Sequence, residues 1–329
     1  MRSQPTLFDM KAAVFYRTGP PDVFRYEDVA DPTCGPGSVL IDIAAISIEG
    51  GDVGNRKSGA LATEPHIVGY QCAGTIIEVG EHVSERAVGQ RVVACNFFGS
   101  HAEKIAVPWQ TTWVLPDDLT TEEGACIPVA YGTAHACLFT FGHLVDGETV
   151  LIQGGAGGVG IAAIQMAKRA GATTIATASS DEKLDRLKTE FGLDHGINYA
   201  QVELVEEARA LTNGRGVDLA VDSVGSTLLG SIESLAYRGR CITVGDMGRG
   251  RRPLDPSVLM ERNLTLTGVF LGAELMLGDG HAIVQQIIDD VAKGELRVVI
   301  AETFPLKDAA KAHTYIEDRK AFGRVLLVP

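Results

Sequence analysis

The run Gly155-Ala156-Gly157-Gly158-Val159-Gly160 has the G-x-G-x-x-G spacing of a phosphate-binding turn. In such a turn the first glycine permits a tight bend and the second lets the backbone approach a pyrophosphate. The third allows a helix to pack closely on a strand. The spacing alone is weak, because a glycine-rich turn is also a common structural connector. Here it follows an apolar strand, Val150-Leu151-Ile152, and opens a helix-like run from Ile161 to Ala170 closed by Gly171. Strand, turn and helix in that order would aim the helix's free N–H groups and positive dipole end at phosphates. That context predicts a bound dinucleotide.

The next strand decides which dinucleotide. NAD sites place an acidic residue at its end, about 20 residues beyond the turn, to hold the ribose hydroxyls. The segment reads Ile175-Ala176-Thr177-Ala178-Ser179-Ser180-Asp181-Glu182-Lys183. The acidic position falls on Ala178, followed by two hydroxyls and a lysine, a set suited to a 2′-phosphate. NADPH is therefore expected, with NADH the less favoured cofactor. Asp181 complicates this, since its spacing also serves a ribose. Ser180, Asp181 and Glu182 read equally as a helix cap with first-turn acids, and the two roles are compatible.

Two kinds of element must position these residues. Up to about Thr120 the chain reads as short strands, Val39 to Ile48, Cys72 to Val79 and Arg91 to Cys95, punctuated by turns such as Gly35-Pro36-Gly37. From Thr149 strands and helices alternate: Thr174 to Thr177, a helix from Asp181 to Phe191 closed by Gly192, Val217 to Val221, a helix from Leu228 to Tyr237, then Cys241 to Val244. This predicts an α/β chain with a doubly wound parallel sheet beside a mainly β domain. After Gly268 the alternation weakens, with a helix near Ala282 to Ala292 and a final strand, Arg324 to Val328. Residues 1–9 precede the first strand-like run, Met10-Lys11-Ala12-Ala13-Val14, as an extension outside the fold.

Bulk properties exclude several classes. At 329 residues the chain suggests two domains, and 45% hydrophobic with 22% charged residues is ordinary for a globular protein. A net charge of −13 argues against a nucleic-acid or anionic-membrane partner, and Arg249, Arg251 and Arg252 read as a solvated loop. No run resembles a signal peptide or a membrane span, so a cytoplasmic location is expected. Cys34, Cys72, Cys95, Cys126, Cys137 and Cys241 form no C-x-x-C pair, which fits free thiols in a reducing compartment.

Further segments accompany the turn: Met10-Lys11-Ala12-Ala13, Val68-Gly69-Tyr70-Gln71-Cys72-Ala73-Gly74, Gly89-Gln90-Arg91-Val92 and Tyr131-Gly132-Thr133-Ala134. Ile197-Asn198-Tyr199, Asp222-Ser223-Val224-Gly225 and Gly323-Arg324-Val325 complete the series. In this order and spacing the chain, from Met10 to Pro329, resembles the medium-chain dehydrogenase/reductase superfamily. Within it the resemblance is to the zinc-free quinone oxidoreductase (zeta-crystallin-like) branch.

The resemblance implies a GroES-like domain from both chain ends, residues 1–127 and 269–329, around a Rossmann domain, residues 128–268. It further implies an active site in the cleft between them and a homodimer. It carries pyrophosphate contacts to Ala156, Gly157, Gly158 and Val159, and a 2′-phosphate pocket to Ser179, Ser180, Lys183 and Tyr199. Thr133 would lie near the nicotinamide, and Ser223, Val244 and Phe270 along the cofactor groove. From the residues alone, Tyr199 reads as a strand-end tyrosine with a wet hydroxyl.

Zinc-dependent relatives carry a catalytic Cys and a Gly-His-Glu segment. The matching places here are near Ile48 and at Gly69-Tyr70-Gln71. His66 and Cys72 lack a third ligand at suitable spacing, so no zinc site is expected. Catalysis would then rest on holding a small electrophile, a quinone or a conjugated carbonyl, against the cofactor. The chain departs from the branch's Asn, Asp, Tyr pattern in its early loop, Ile48-Glu49-Gly50-Gly51-Asp52-Val53-Gly54-Asn55-Arg56. Asp52 is kept, Glu49 replaces the Asn, and the Tyr is lost. Glu49, Asp52 and Tyr70 are the candidates for the substrate side. Glu49 is either a proton donor with a pKa raised by burial or a solvated loop acid. The expected function is NADPH-dependent, metal-independent quinone reduction. The alternatives are enone or alkenal reduction and, in another class, a non-catalytic dinucleotide-binding protein.

Overall fold

A computed structural model describes residues 9–245 and 254–329 of the chain. The contacts divide it into two units, residues 1–129 with 300–320 and 324–329, and residues 130–299 with 321–323.

The second unit is built on a parallel sheet. Among the described residues its strand order is His195–Asn198, Thr173–Ala178, Thr149–Ile152, Val217–Asp222, Leu235–Thr243 and Thr265–Gly268. Every neighbouring pair is parallel. Strand order reverses between Thr149–Ile152 and Val217–Asp222, and ligands of doubly wound sheets bind beyond the strand ends at that point. Burial on both faces explains the near-continuous apolar runs: all four residues of Thr149–Ile152 are buried. Leu151, Ile175, Ile197, Ala220, Ile232 and Cys241 meet in one core cluster.

Of the helices expected from the sequence one is shortened, and others, such as Leu204–Ala210 and Ala309–Glu317, were not expected. Gly158–Arg169 and Asp181–Phe191 occupy the expected places, the latter ended by Gly192 in the left-handed conformation at φ 69°. The helix expected from Leu228 to Tyr237 stops at Glu233, and the following strand begins at Leu235, earlier than the expected Cys241. Leu235 is fully buried and pairs with Val217, so sheet pairing takes these residues from the helix.

The first unit is mainly β. Its long strand Ser38–Ser47 pairs antiparallel with Gln71–Val79, with Lys104–Pro108 and with the C-terminal Arg324–Val328. Both chain ends therefore share this unit. The first crossing, at Val129/Ala130, lies close to the expected residue 128, but the return comes at Ile300 where residue 269 was expected. Residues 269–299 are held in the second unit. Tyr131 Oη donates to the Arg297 carbonyl at 2.6 Å, and Arg169 pairs with Asp290 and Glu295. Gly132 is close enough to Leu271 and Val284 that a Cβ there would stand 3.2–3.4 Å from them.

Of the six free thiols, all but Cys34 are buried. Among the described residues no helix is long and apolar enough to cross a membrane. Arg249, Arg251, Arg252 and the extension before Asp9 lie outside the described residues.

Candidate functional site

The glycine turn sits at the switch point of the parallel sheet. Gly154, at φ 67°, makes the bend that glycine accepts most readily. A Cβ on Gly155 would stand 2.8 Å from that of Ala176, and one on Gly160 would overlap the Gly154–Gly155 backbone. Close packing of helix on strand thus explains both residues. Gly157 is different. Its backbone, φ −85° and ψ 171°, suits any residue, and the nearest atom to an added Cβ would be the Gly154 carbonyl oxygen at 3.4 Å. Among the described residues nothing in the packing demands a glycine there, which fits a backbone kept bare for a ligand.

Gly157 caps the helix Gly158–Arg169, whose first N–H groups, at Gly158, Val159 and Gly160, have no partner within the helix. Ala156 beside them accepts a backbone hydrogen bond from Gly323. A buried polar chain fixes the turn from beneath. The Gly154 N–H donates to Thr177 Oγ1 at 3.0 Å, Thr177 Oγ1 to Gln153 Oε1 at 2.9 Å, and Gln153 Nε2 to Ser231 Oγ at 3.0 Å. Ser231 Oγ in turn donates to Asp222 Oδ2 at 2.8 Å. Asp222 also takes the N–H groups of Val224 and Gly225, and Ser223 Oγ donates to the Gln153 carbonyl. Three neighbouring strand ends are tied together this way.

The second strand ends at Ala178, which is buried. Ser180 caps the following helix, its Oγ accepting from the Lys183 N–H at 3.4 Å, so the capping role expected of it is present. Lys183 Nζ donates to the Ala321 carbonyl at 2.9 Å, and partial burial lowers its pKa. The Tyr199 N–H bonds the Ala178 carbonyl, because Ala178 is registered opposite Asn198. Ser179, Ser180, Lys183 and Tyr199 are thereby gathered at one corner. Asp181 is engaged by two side-chain amides. Its Oδ1 accepts from Asn198 Nδ2 at 2.9 Å and its Oδ2 from Gln201 Nε2 at 3.1 Å.

Val244 lies beside Ser223, its N–H donating to the Asp222 carbonyl at 3.0 Å. Thr133, buried in the helix Pro128–His135, and Phe270, which precedes the helix Leu271–Leu277, form a separate pair of positions where Gly132 packs on Leu271.

In the first unit, Glu49 and Asp52 open the helix Gly50–Ser58. Glu49 is no solvated loop acid: it is 5% exposed, paired with Arg324, and its Oε1 accepts from Gln71 Nε2. Burial raises its pKa to about 7 against the pull of Arg324. Asp52 is fully buried, its Oδ2 taking the Glu49 N–H at 2.7 Å, and burial lifts its pKa well above the usual carboxylate range. Arg324 also donates to Ser47 Oγ and the Ile48 carbonyl. Tyr70 is half-buried, its ring lying over Gly51 and its hydroxyl accepting from Asn55 Nδ2 at 2.9 Å. The sequence singled out Gly323-Arg324-Val325 as a motif, but the pairing of Arg324 with Glu49 spans 275 positions and gives no local signal. The roles of Gln153, Asn198 and Asn55 went unread for the same reason.

Among the described residues no three His, Cys, Asp or Glu side chains converge. Burial pushes the Cys72 thiol up to about 12, and His66 is packed against Phe15 with its Nδ1 taking the Ala62 N–H.

Comparison with known proteins accords with this architecture. The family described as alcohol dehydrogenase GroES-like domain matches residues 35–117, and the family described as zinc-binding dehydrogenase matches residues 158–291. A 2-haloacrylate reductase of Burkholderia sp is 31% identical over 97% of this chain and 98% of its own length. The crystal structure of a Pseudomonas syringae pv. Tomato quinone oxidoreductase superposes with a TM-score of 0.92 at 29% identity, covering 97% of this chain and 100% of that one. An Escherichia coli quinone oxidoreductase solved in complex with NADPH also gives 0.92, at 26% identity and the same coverage. The chain is an oxidoreductase of the medium-chain dehydrogenase/reductase superfamily, in its quinone oxidoreductase branch.

Proposed function

We propose that this protein binds NADPH at the glycine turn and uses it to reduce a quinone, with no metal taking part. The observation that carries the reading is Gly157, an exposed turn glycine whose bare backbone the packing of the described residues does not require. NADPH is preferred to NADH on two grounds. The strand end presents Ser179, Ser180, Lys183 and Tyr199, and the carboxylate of Asp181 is held by two amides. The relative solved with NADPH supports the same choice.

The bound nicotinamide supplies a hydride, and the chain supplies the rest. First-turn N–H groups hold the pyrophosphate, and the polar chain from Thr177 to Asp222 keeps the turn rigid. On the substrate side the candidates are Glu49, Asp52 and Tyr70, of which Glu49 and Asp52 are buried and Tyr70 is partly exposed. A quinone needs little from these, since its reduced oxygen is a stable anion that solvent protonates. Metal independence is supported by Tyr70 and Gln71 standing where zinc relatives carry His and Glu. A homodimer through the sheet's outer strand, Thr265–Gly268, and a cytoplasmic location complete the reading.

A second reading, reduction of a conjugated alkene, is favoured by the 2-haloacrylate reductase relative and by a phenol held at Tyr70. NADPH oxidation by purified protein, measured against a benzoquinone, cyclohexenone and a short alkenal, tests both. Turnover of the quinone above the others supports the first reading, preference for the enone the second, and oxidation by none of them sinks both.

A further inference from the structure

We propose that the Tyr70 hydroxyl donates a hydrogen bond, and then its proton, to the carbonyl oxygen of a conjugated acceptor. The proposal rests on the reductase reading above and assigns the donor that this reading leaves open.

Three features set Tyr70 apart. Its ring lies directly over Gly51, where any Cβ would overlap the ring, so the helix start is shaped to receive it. Its backbone is pinned on both sides. The Tyr70 carbonyl takes the Asn96 N–H at 2.8 Å, and the next side chain, Gln71, bridges Glu49 and the Val129 N–H. Its hydroxyl oxygen accepts from Asn55 Nδ2 at 2.9 Å, and among the described residues no acceptor takes the hydroxyl proton. A phenol oriented by an accepted hydrogen bond, with its own proton uncommitted and the residue partly exposed, is built to donate to a ligand.

The other acids nearby do not compete. Glu49 is sequestered by Arg324 and Gln71, and Asp52 is wholly buried. Both act on Tyr70 electrostatically, and with burial they raise its pKa, keeping it a protonated donor at neutral pH.

The step balances with a reduced nicotinamide dinucleotide as reductant. The acceptor's β-carbon takes the hydride and the C=C π pair shifts toward the carbonyl. The oxygen then takes the Tyr70 proton, giving an enol and a tyrosinate. Solvent returns a proton to Tyr70 and the enol ketonises, so one hydride and one proton are added overall. A quinone requires this donor less, because its reduced oxygen persists as an anion.

The test is Tyr70→Phe, which keeps the ring over Gly51 and removes the hydroxyl, both its proton and the oxygen that accepts from Asn55. NADPH affinity should be unchanged. Activity with cyclohexenone should fall by about 100-fold or more, and with a benzoquinone by less than about 10-fold. Cyclohexanone, which has no conjugated double bond to reduce, gives a readout independent of turnover: calorimetry should show it bound about 5- to 10-fold more weakly by the variant. Asn55→Ala, which frees the hydroxyl to rotate, should fall between wild type and Tyr70→Phe on both measures. Equal, small losses with enone and quinone, together with unchanged cyclohexanone binding, would overturn the proposal. If neither cyclohexenone nor the benzoquinone supports NADPH oxidation by wild type, the reductase reading fails, while the cyclohexanone comparison still decides the Tyr70 donor.

Discussion

Replacing Gly157 by alanine separates a ligand-driven glycine from a structural one. A Cβ there would meet nothing closer than 3.4 Å, and φ −85° is open to alanine. The loss of unfolded-chain freedom should stabilise by about 0.4–1 kcal/mol. Glycine's advantage over alanine at a helix N-cap offsets part of that. The net effect should stay within about 1 kcal/mol, a melting shift of about 2 °C. Binding should behave otherwise, because the methyl group occupies the space a pyrophosphate would need. A loss of about 2–3 kcal/mol, or about 30- to 150-fold in Kd for both NADPH and NADH, is expected. Gly160→Ala is the control, since its Cβ would overlap the Gly154–Gly155 backbone, and it should destabilise the fold by about 1–3 kcal/mol. Thermal unfolding and nicotinamide-fluorescence titration on the same preparations read both quantities. A Gly157→Ala protein that binds both dinucleotides as wild type does would refute the assignment of the turn.

Other expectations follow from the same geometry. Lys183→Ala should weaken NADPH by about 10- to 100-fold and leave NADH within about twofold; equal losses in parallel titrations would remove Lys183 from the phosphate pocket. Glu49 is raised from its ordinary 4.5 to about 7, so the folded chain holds its proton more tightly than the unfolded chain. Its contribution to stability is then fully present below about pH 4.5 and lost as pH rises through about 7, at most about 3 kcal/mol. Glu49→Gln should flatten the unfolding free energy over that window, and an unchanged slope in denaturant titrations would contradict the burial account. Prolonged dialysis against a strong chelator should leave activity intact, whereas a loss restored by zinc would overturn the metal-free reading.

Legibility in the sequence followed the range of the interactions. The glycine turn and the helix Asp181–Phe191 with its Gly192 stop are set by neighbours a few positions apart, and both read correctly. Asp181 stayed ambiguous because its partners, Asn198 and Gln201, arrive only through the parallel register of Ala178 with Asn198. Glu49 could not be told from a surface acid without Arg324, which comes from the other end of the chain. The helix near Ala282 to Ala292 was visible, but not which unit it joins. That depends on Gly132 packing against Leu271 and Val284 and on Tyr131 reaching Arg297. The early end of the helix after Leu228 was likewise set by a pairing partner, Val217, which local propensity does not report.

The most direct test of the central claim is a paired titration of the purified protein with NADPH and NADH, followed by addition of a benzoquinone. The account predicts NADPH bound at least about tenfold more tightly than NADH, as a charge-assisted contact to the 2′-phosphate requires. It also predicts stoichiometric oxidation of the bound NADPH once the quinone is added. Equal affinity for the two dinucleotides, or NADPH that stays reduced beside the quinone, would contradict it.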